Sequence, residues 1–339
     1  MRAWRVLVSL AAVLTALPAS PARGGADPDR LWMAPAPGSL DYTRLFLDPS
    51  EWPDALRVVD VFKFYQQHTL SRSDPVVGPN TYDALVQAGA FRTVTRSWRK
   101  KIALEVGAVK EFYCTDDDSG MQEAIDATLA SVEAVQRAGG IVSYLAIDEP
   151  FLAGMSPRCG GPSLAPTADR LAVYMKGVRR VFPWVRIGLI EAYPSFSPGQ
   201  FTDMIRLMRE RGWPLAFLHA DVDLRAMRPG RDDFGRDMNR LAALSAEERL
   251  PFGIIIWGEN GNADALFSAD AMRLEEAVES AFGRWDLLPP HLIVQSWAES
   301  SSGLRITPTN LPQSRADTFT ELLLRVYLRL FATRKPTHG

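Results

Sequence analysis

Eight times between Leu31 and Phe331, a short apolar run gives way to a capped or amphipathic helical stretch. This alternation limits the fold more than any other feature of the chain. Strands separated by crossover helices pair in parallel, and a parallel sheet has to be covered on both faces or closed on itself. The strand runs are 31–35, 57–65, 101–106, 141–150, 185–190, 215–219, 252–257 and 292–297. The helical stretches are 50–56, 79–90, 121–138, 167–182, 201–211, 233–249, 269–282 and 318–331. Eight such units favour an α/β fold of the (β/α)8 TIM barrel type over an open sheet. The first run, LWMAP, is cut short by Pro35, so any distortion is expected at the first strand. Without that strand, a seven-stranded barrel or an open sheet is left. The expected organisation is a barrel over 31–335 preceded by a lead at 23–30.

The chain opens with two arginines within Met1-Arg2-Ala3-Trp4-Arg5, then an apolar run from Val6 to Leu17 and a small-residue exit through Ala22. That is the build of a secretory signal over 1–22, removed from a mature protein that works in the periplasm or outside the cell. A membrane anchor kept for life is the other reading of the run, which is short for a bilayer span. No later stretch is apolar enough to cross a membrane. A formal net charge of -2 offers no basic surface for nucleic acid. Cys114 and Cys159 allow one disulfide between loops flanking the 141–150 run, or two thiols, and cannot build a thiol-rich metal site. Four histidines without HExxH spacing argue against a zinc hydrolase, and Asp116-Asp117-Asp118 suits a helix start better than a calcium loop. No metal or other cofactor is expected. With 47% hydrophobic residues, the core itself has to supply most of the stability.

The run IVSYLAIDEP carries the clearest chemical signal. A buried strand gains nothing from ending in Asp148-Glu149-Pro150. Either the acids are a solvated strand end that starts the next helix, or they aim into a pocket at the C-terminal face, where barrels keep their chemistry. Other strands also end in acids, at Glu105, Glu191 and Glu259, while the last closes on Trp297. Convergent strand ends bring such groups around one cavity. Two carboxylates across a glycosidic bond are the minimum equipment for its hydrolysis: one protonates the leaving oxygen, the other attacks the anomeric carbon or activates water. A gap of about 5 to 5.5 Å gives retention and about 6.5 to 9.5 Å inversion.

This pattern resembles the clan A glycoside hydrolases, a superfamily of (β/α)8 enzymes. Glu149 at the end of strand four, Glu259 at the end of strand seven and Trp297 at the end of strand eight stand at its acid/base, nucleophile and aromatic positions. The resemblance spans nearly the whole mature chain in topology, though its local motifs are short. It implies a secreted hydrolase of poly- or oligosaccharides, retaining configuration, with Trp297 under the reacting sugar. Asp148 departs from the asparagine usual before the acid/base, which points to a variant family or a changed substrate.

Accessory candidates surround this pair. Lys63 shares a strand face with Val59, Val61 and Tyr65 and either pairs with Glu105 or another inward acid or is solvated; Glu105 is a binding acid or only the charged partner of Lys63. Glu191 holds the acid/base, binds a hydroxyl or caps a loop. His219 and Asp221 contact substrate or Glu259; Trp257 stacks on sugar or fills the core, and Asn260 is a polar contact in the same loop. Tyr65, Tyr144 and Tyr193 divide between cavity and core. The competing functions are a polysaccharide lyase or isomerase acting through Lys63, His219 or Tyr193, and a non-catalytic carbohydrate-binding barrel.

Overall fold

Local signals start the helices. Thr81, Ser197, Asp233 and Thr318 each accept a backbone N–H from the first turn of the helix they precede. Ser197 and Gln200 complete a reciprocal capping box, with Pro198 at the first helical position. The computed structural model describes residues 29–70, 74–107, 119–156, 159, 163–283, 288–297 and 307–332. The 1–22 segment and Cys114 lie outside the described residues.

The strands are β1 (Leu31–Ala34), β2 (Val61–Tyr65), β3 (Lys101–Val106), β4 (Val142–Asp148), β5 (Arg186–Tyr193), β6 (Leu218–Val222), β7 (Phe252–Ile256) and β8 (His291–Gln295). The principal helices are α1 (Pro53–Val58), α2 (Tyr82–Gln87), α3 (Ser119–Arg137), α4 (Leu164–Val181), α5 (Pro198–Glu210), α6 (Phe234–Glu248), α7 (Asp264–Phe282) and α8 (Phe319–Tyr327). The strands close into a parallel barrel in sequence order. This is a (β/α)8 TIM barrel. β1 is a regular member: Leu31 to Ala34 pair with Leu292 to Gln295, and Trp32 and Met33 with Val61 and Phe62. The irregularity falls elsewhere, as a register shift between Ile102 and Ala103 where β3 meets β4.

Two-residue alternation divides the apolar strand residues into two cores. Met33, Phe62, Phe64, Leu104, Leu145, Leu189 and Ile254 face the helices. Trp32, Val61, Ala103, Tyr144, Ala146, Ile190, Phe217, Ile255 and Ile293 fill the barrel. Trp32 lies with its ring centroid 4.8 Å from Tyr144, 5.3 Å from Phe217 and 4.8 Å from His219. Below this plug, the hydroxyl of Tyr144 donates to the carboxylate of Asp29, which also pairs with Lys101. Tyr144 is therefore core, away from the mouth. His219 Nε2 and His291 Nδ1 stand 3.0 Å apart inside the barrel, in space that Gly253 leaves open. A Cβ there would come within 2.7 Å of the His219 ring.

Several element bounds differ from the sequence expectation for physical reasons. The 57–65 strand loses its start because the helix begun by Pro53 runs on to Val58. The fourth helix starts at Leu164, and a helical turn, Pro150–Gly154, directly follows β4. β5 continues past Glu191 to Tyr193, and β6 spans Leu218 to Val222, so Glu191, His219 and Asp221 lie within strands. Pairing of β5 and β6 with each other, Glu191 opposite Ala220 and Ala192 opposite Asp221, carries these strands through their polar residues.

Candidate active site

The inward rows turn polar toward the strands' C-terminal ends. Val61 is followed on its face by Lys63, Ala103 by Glu105, Ala146 by Asp148, Phe217 by His219 and Asp221, and Ile293 by Gln295 and Trp297. The lowest polar layer is a closed triad. Lys63, fully buried, donates to Glu105 Oε2 at 2.5 Å and to Gln295 Oε1, while Gln295 Nε2 donates to Glu105 Oε2 at 2.9 Å. Burial pushes the Glu105 carboxyl up; the Lys63 ammonium opposes that, and Asp148 adds to it. Gln295 escaped sequence reasoning, although it stands two residues before Trp297 on the same face. Above the triad, the Tyr65 hydroxyl donates to the carbonyl of Ser296 at 2.9 Å.

Glu149 sits where β4 turns outward, with a left-handed φ of 45°. Such a backbone costs a non-glycine residue about 1–3 kcal/mol and persists only where its surroundings fix it. Here they do. Its N–H donates to Ile190 O at 2.9 Å, and the next two free amides, Phe151 N and Leu152 N, donate to Glu191 at 2.7 and 3.3 Å. Glu191 is fully buried on the outer side of β5, opposite in facing to Ile190, so it does not open into the barrel. Its carboxyl is pushed well above the ordinary range by burial, against the two backbone donors and with the charges of Glu149 and Asp148. Its place is behind Glu149.

Asp221 faces inward on β6, and its Oδ1 is enclosed without a hydrogen-bond partner. Burial pushes its carboxyl well up; Glu149, Asp148 and Glu105 push in the same direction, and Lys63 opposes them. His219, beneath Asp221, is held well below the usual imidazole range by burial, then by His291 and Lys63, and so stays neutral.

Glu259 is placed differently. Its carboxylate pairs with Arg225, from the segment after β6, and lines a cavity with Trp257, Asp270 and Arg273. Arg225 was not foreseen, because only β6–β7 pairing brings it across 34 residues. The turn before Glu259 lies against α7, where a Cβ on Gly258 would meet the Phe267 carbonyl oxygen at 2.1 Å. Asn260 is held in its own loop, its N–H donating to Asp270 at 2.9 Å and its Oδ1 accepting from Asn262 N at 3.1 Å. Trp257 and Trp297 stack over the inner core with centroids 4.6 Å apart and planes at 30°, and Trp257 Nε1 donates to Val222 O at 2.9 Å. Tyr193, by contrast, bonds to Asp237 at 3.0 Å on the helix side. Cys159 is disulfide-bonded. Among the described residues, no group of histidine, cysteine and acidic side chains is arranged to hold a metal ion, and no helix is long and apolar enough to cross a membrane.

The barrel is similar to solved glycoside hydrolases. A thermostable mutant of a xylanase from Cellvibrio japonicus superposes with a TM-score of 0.54 at 12% identity, covering 88% of this chain and 97% of that one. A catalytic-site mutant of active domain 2 of a thermostable chitinase from Pyrococcus furiosus, complexed with chito-oligosaccharides, gives 0.52 at 14%, covering 91% and 98%. At these identities the likeness is one of fold. No protein-family model and no curated protein matches the chain.

Proposed function

We propose that this protein hydrolyses O-glycosidic bonds of a poly- or oligosaccharide, outside the cytoplasm, by a retaining two-carboxylate mechanism. The observation that carries the reading is the barrel mouth, where Asp148 and Asp221 lie on the inner face above the Lys63–Glu105–Gln295 layer and Trp257 stacks on Trp297 over the inner core. Indole faces suit the apolar faces of sugar rings, and the acids supply both proton chemistry and hydroxyl acceptors. Glu149, fixed at a strained turn, is the acid/base. Glu259 is the nucleophile, kept anionic by Arg225 until a sugar settles over the tryptophans and the pair opens. Asp148 takes a sugar hydroxyl at the base of the site. Lys63, Glu105 and Gln295 support it from below.

The test is product analysis on a broad glycan panel, with the mature protein and its Glu149→Gln and Glu259→Gln variants. Hydrolysis releases new reducing ends in the parent only, and NMR of the first product shows the anomer of the substrate. Unsaturated sugar products would replace this reading with a lyase. Binding without release, lost on Trp257→Ala or Trp297→Ala but kept in both glutamate variants, would replace it with a carbohydrate-binding barrel.

A further inference from the structure

A side cleft runs between the segment after β6 and helix α7, with Leu224 and Trp257 in its apolar wall. The same indole stacks on Trp297 over the inner core, so a sugar seated on the tryptophans lies at the entrance of the cleft. Two ion pairs make its polar lining, Arg225 with Glu259 and Arg273 with Asp270. Asp270 also accepts the Asn260 N–H at 2.9 Å, which ties that pair into its loop. The other pair is open on one side: the Arg225 side chain is 67% exposed and that of Glu259 10%. Arg225 meets Glu259 through Nε, and Asp223 Oδ1 stands 3.8 Å from the same nitrogen. Among the described residues, Nη1 and Nη2 of Arg225 have no partner. The backbone beneath them is held, because Asp223 Oδ1 accepts from Arg225 N at 2.9 Å and Ala226 N at 3.2 Å, and Asp223 N donates to Tyr193 O at 2.9 Å. A planar guanidinium with both terminal nitrogens open is the donor set that oxyanions take in a forked contact.

We propose that Arg225 selects an anionic sugar, one whose carboxylate or sulfate group enters this cleft and takes Arg225 from Glu259. The inference rests on the glycosidase reading and names its substrate class. Replacing one oxyanion by another on the same guanidinium keeps the charge paired, whereas a neutral sugar has to break the pair and leave a cation without its partner. Turnover itself adds a second reason. A Glu259 oxygen bonds to the anomeric carbon as the glycosidic C–O bond breaks, and Glu149 gives its proton to the leaving oxygen. Glu259 is then a neutral ester, and the cleft is left with two guanidinium groups against the one carboxylate of Asp270. An anionic substituent on the sugar supplies the missing charge. In the second step water oxygen bonds to the anomeric carbon, its proton goes to Glu149, and Glu259 departs as the carboxylate that Arg225 takes back.

Isothermal titration calorimetry of the full chain with matched sugars tests this without any cleavage. The pairs are glucuronate against glucose and galacturonate against galactose, with glucose 6-sulfate as the sulfate arm. A charged sugar should bind about fivefold or more tighter than its neutral partner, the upper worth of an exposed ion pair. Preference for the carboxylates assigns a uronic acid, and preference for the sulfate a sulfated sugar. Arg225→Gln, shown folded by circular dichroism, should abolish the preference. Arg228→Gln should keep it, since that arginine pairs with Asp232 outside the cleft. Glu259→Gln removes the internal competitor and should tighten the charged sugar while leaving the neutral one unchanged. Equal or undetectable binding of charged and neutral sugars overturns the proposal, as does a preference that survives Arg225→Gln or is lost in Arg228→Gln. Should Arg225→Gln fail to fold, the Glu259→Gln arm decides, and an unchanged affinity for the charged sugar overturns it. Charged preference without cleavage of any glycan would retain the anion site and remove the glycosidase reading; cleavage of neutral glycans without charged preference would do the reverse.

Discussion

Lys63 is fully buried, and its ammonium meets Glu105 and Gln295 inside the barrel. Removing one partner of such a pair strands the other, so Lys63→Ala should destabilise the fold by about 3–5 kcal/mol in urea denaturation. A loss below about 1 kcal/mol would mean that Glu105 finds water or another donor. Glu191 leads to a prediction about pH. Its folded carboxyl is pushed above the ordinary range, so above that range the native state keeps a proton that the unfolded chain has released. Stability falls as pH rises through this window. Glutamine has no such proton, so between pH 5 and 8 the parent should lose stability relative to Glu191→Gln, by at most about 1.4 kcal/mol per pH unit. A difference independent of pH contradicts the raised value. Sequence showed that Glu191 ends an apolar run; its facing needed the register, because Ile190 inside puts Glu191 outside. Alternation left Lys63 with Glu105, another inward acid or water as its partner, and the β2–β3 register decides for Glu105; the contact of Glu259 with Arg225 depends on two loops meeting.

The β7–α7 turn controls the Glu259 side of the mouth. Gly258 lies so close to α7 that an added Cβ would strike the carbonyl group and Cα of Phe267, at 2.1 to 2.9 Å. Backbone atoms cannot step aside as a flexible side chain can. Gly258→Ala should therefore cost about 1–3 kcal/mol in chemical denaturation and carry Trp257 and Glu259 off their positions. Turnover should fall more than stability does; full activity in this variant would show that the turn does not position the site. At this scale the sequence reading found every strand and misplaced several ends. β5 and β6 were stopped at polar residues, since a period of alternating apolar character fades where a barrel strand enters its polar mouth. Pairing of β5 and β6 with each other extends them to Tyr193 and Val222. The doubtful 31–35 run became a full strand because β8 supplies four register partners.

Closure of the barrel is what turns scattered strand ends into one mouth. Glu105, Glu149 and Asp221 are far apart along the chain, yet each of the other two adds to the electrostatic load on Asp221. The eightfold alternation was legible because it is periodic and local; which acids share a cavity was not, because that follows from tilt and closure. The same architecture serves solved xylanases and chitinases, so the chemistry has to be tested on the residues themselves. The most direct measurement is the initial rate of reducing-end release by the parent and by Glu149→Gln on the same glycan, with circular dichroism showing both folded. The expected result is cleavage by the parent and a fall of about 10²- to 10⁴-fold in the variant, the usual worth of a general acid/base. A folded Glu149→Gln protein that cleaves at the parent's rate would contradict the assignment of the barrel mouth as the hydrolytic site.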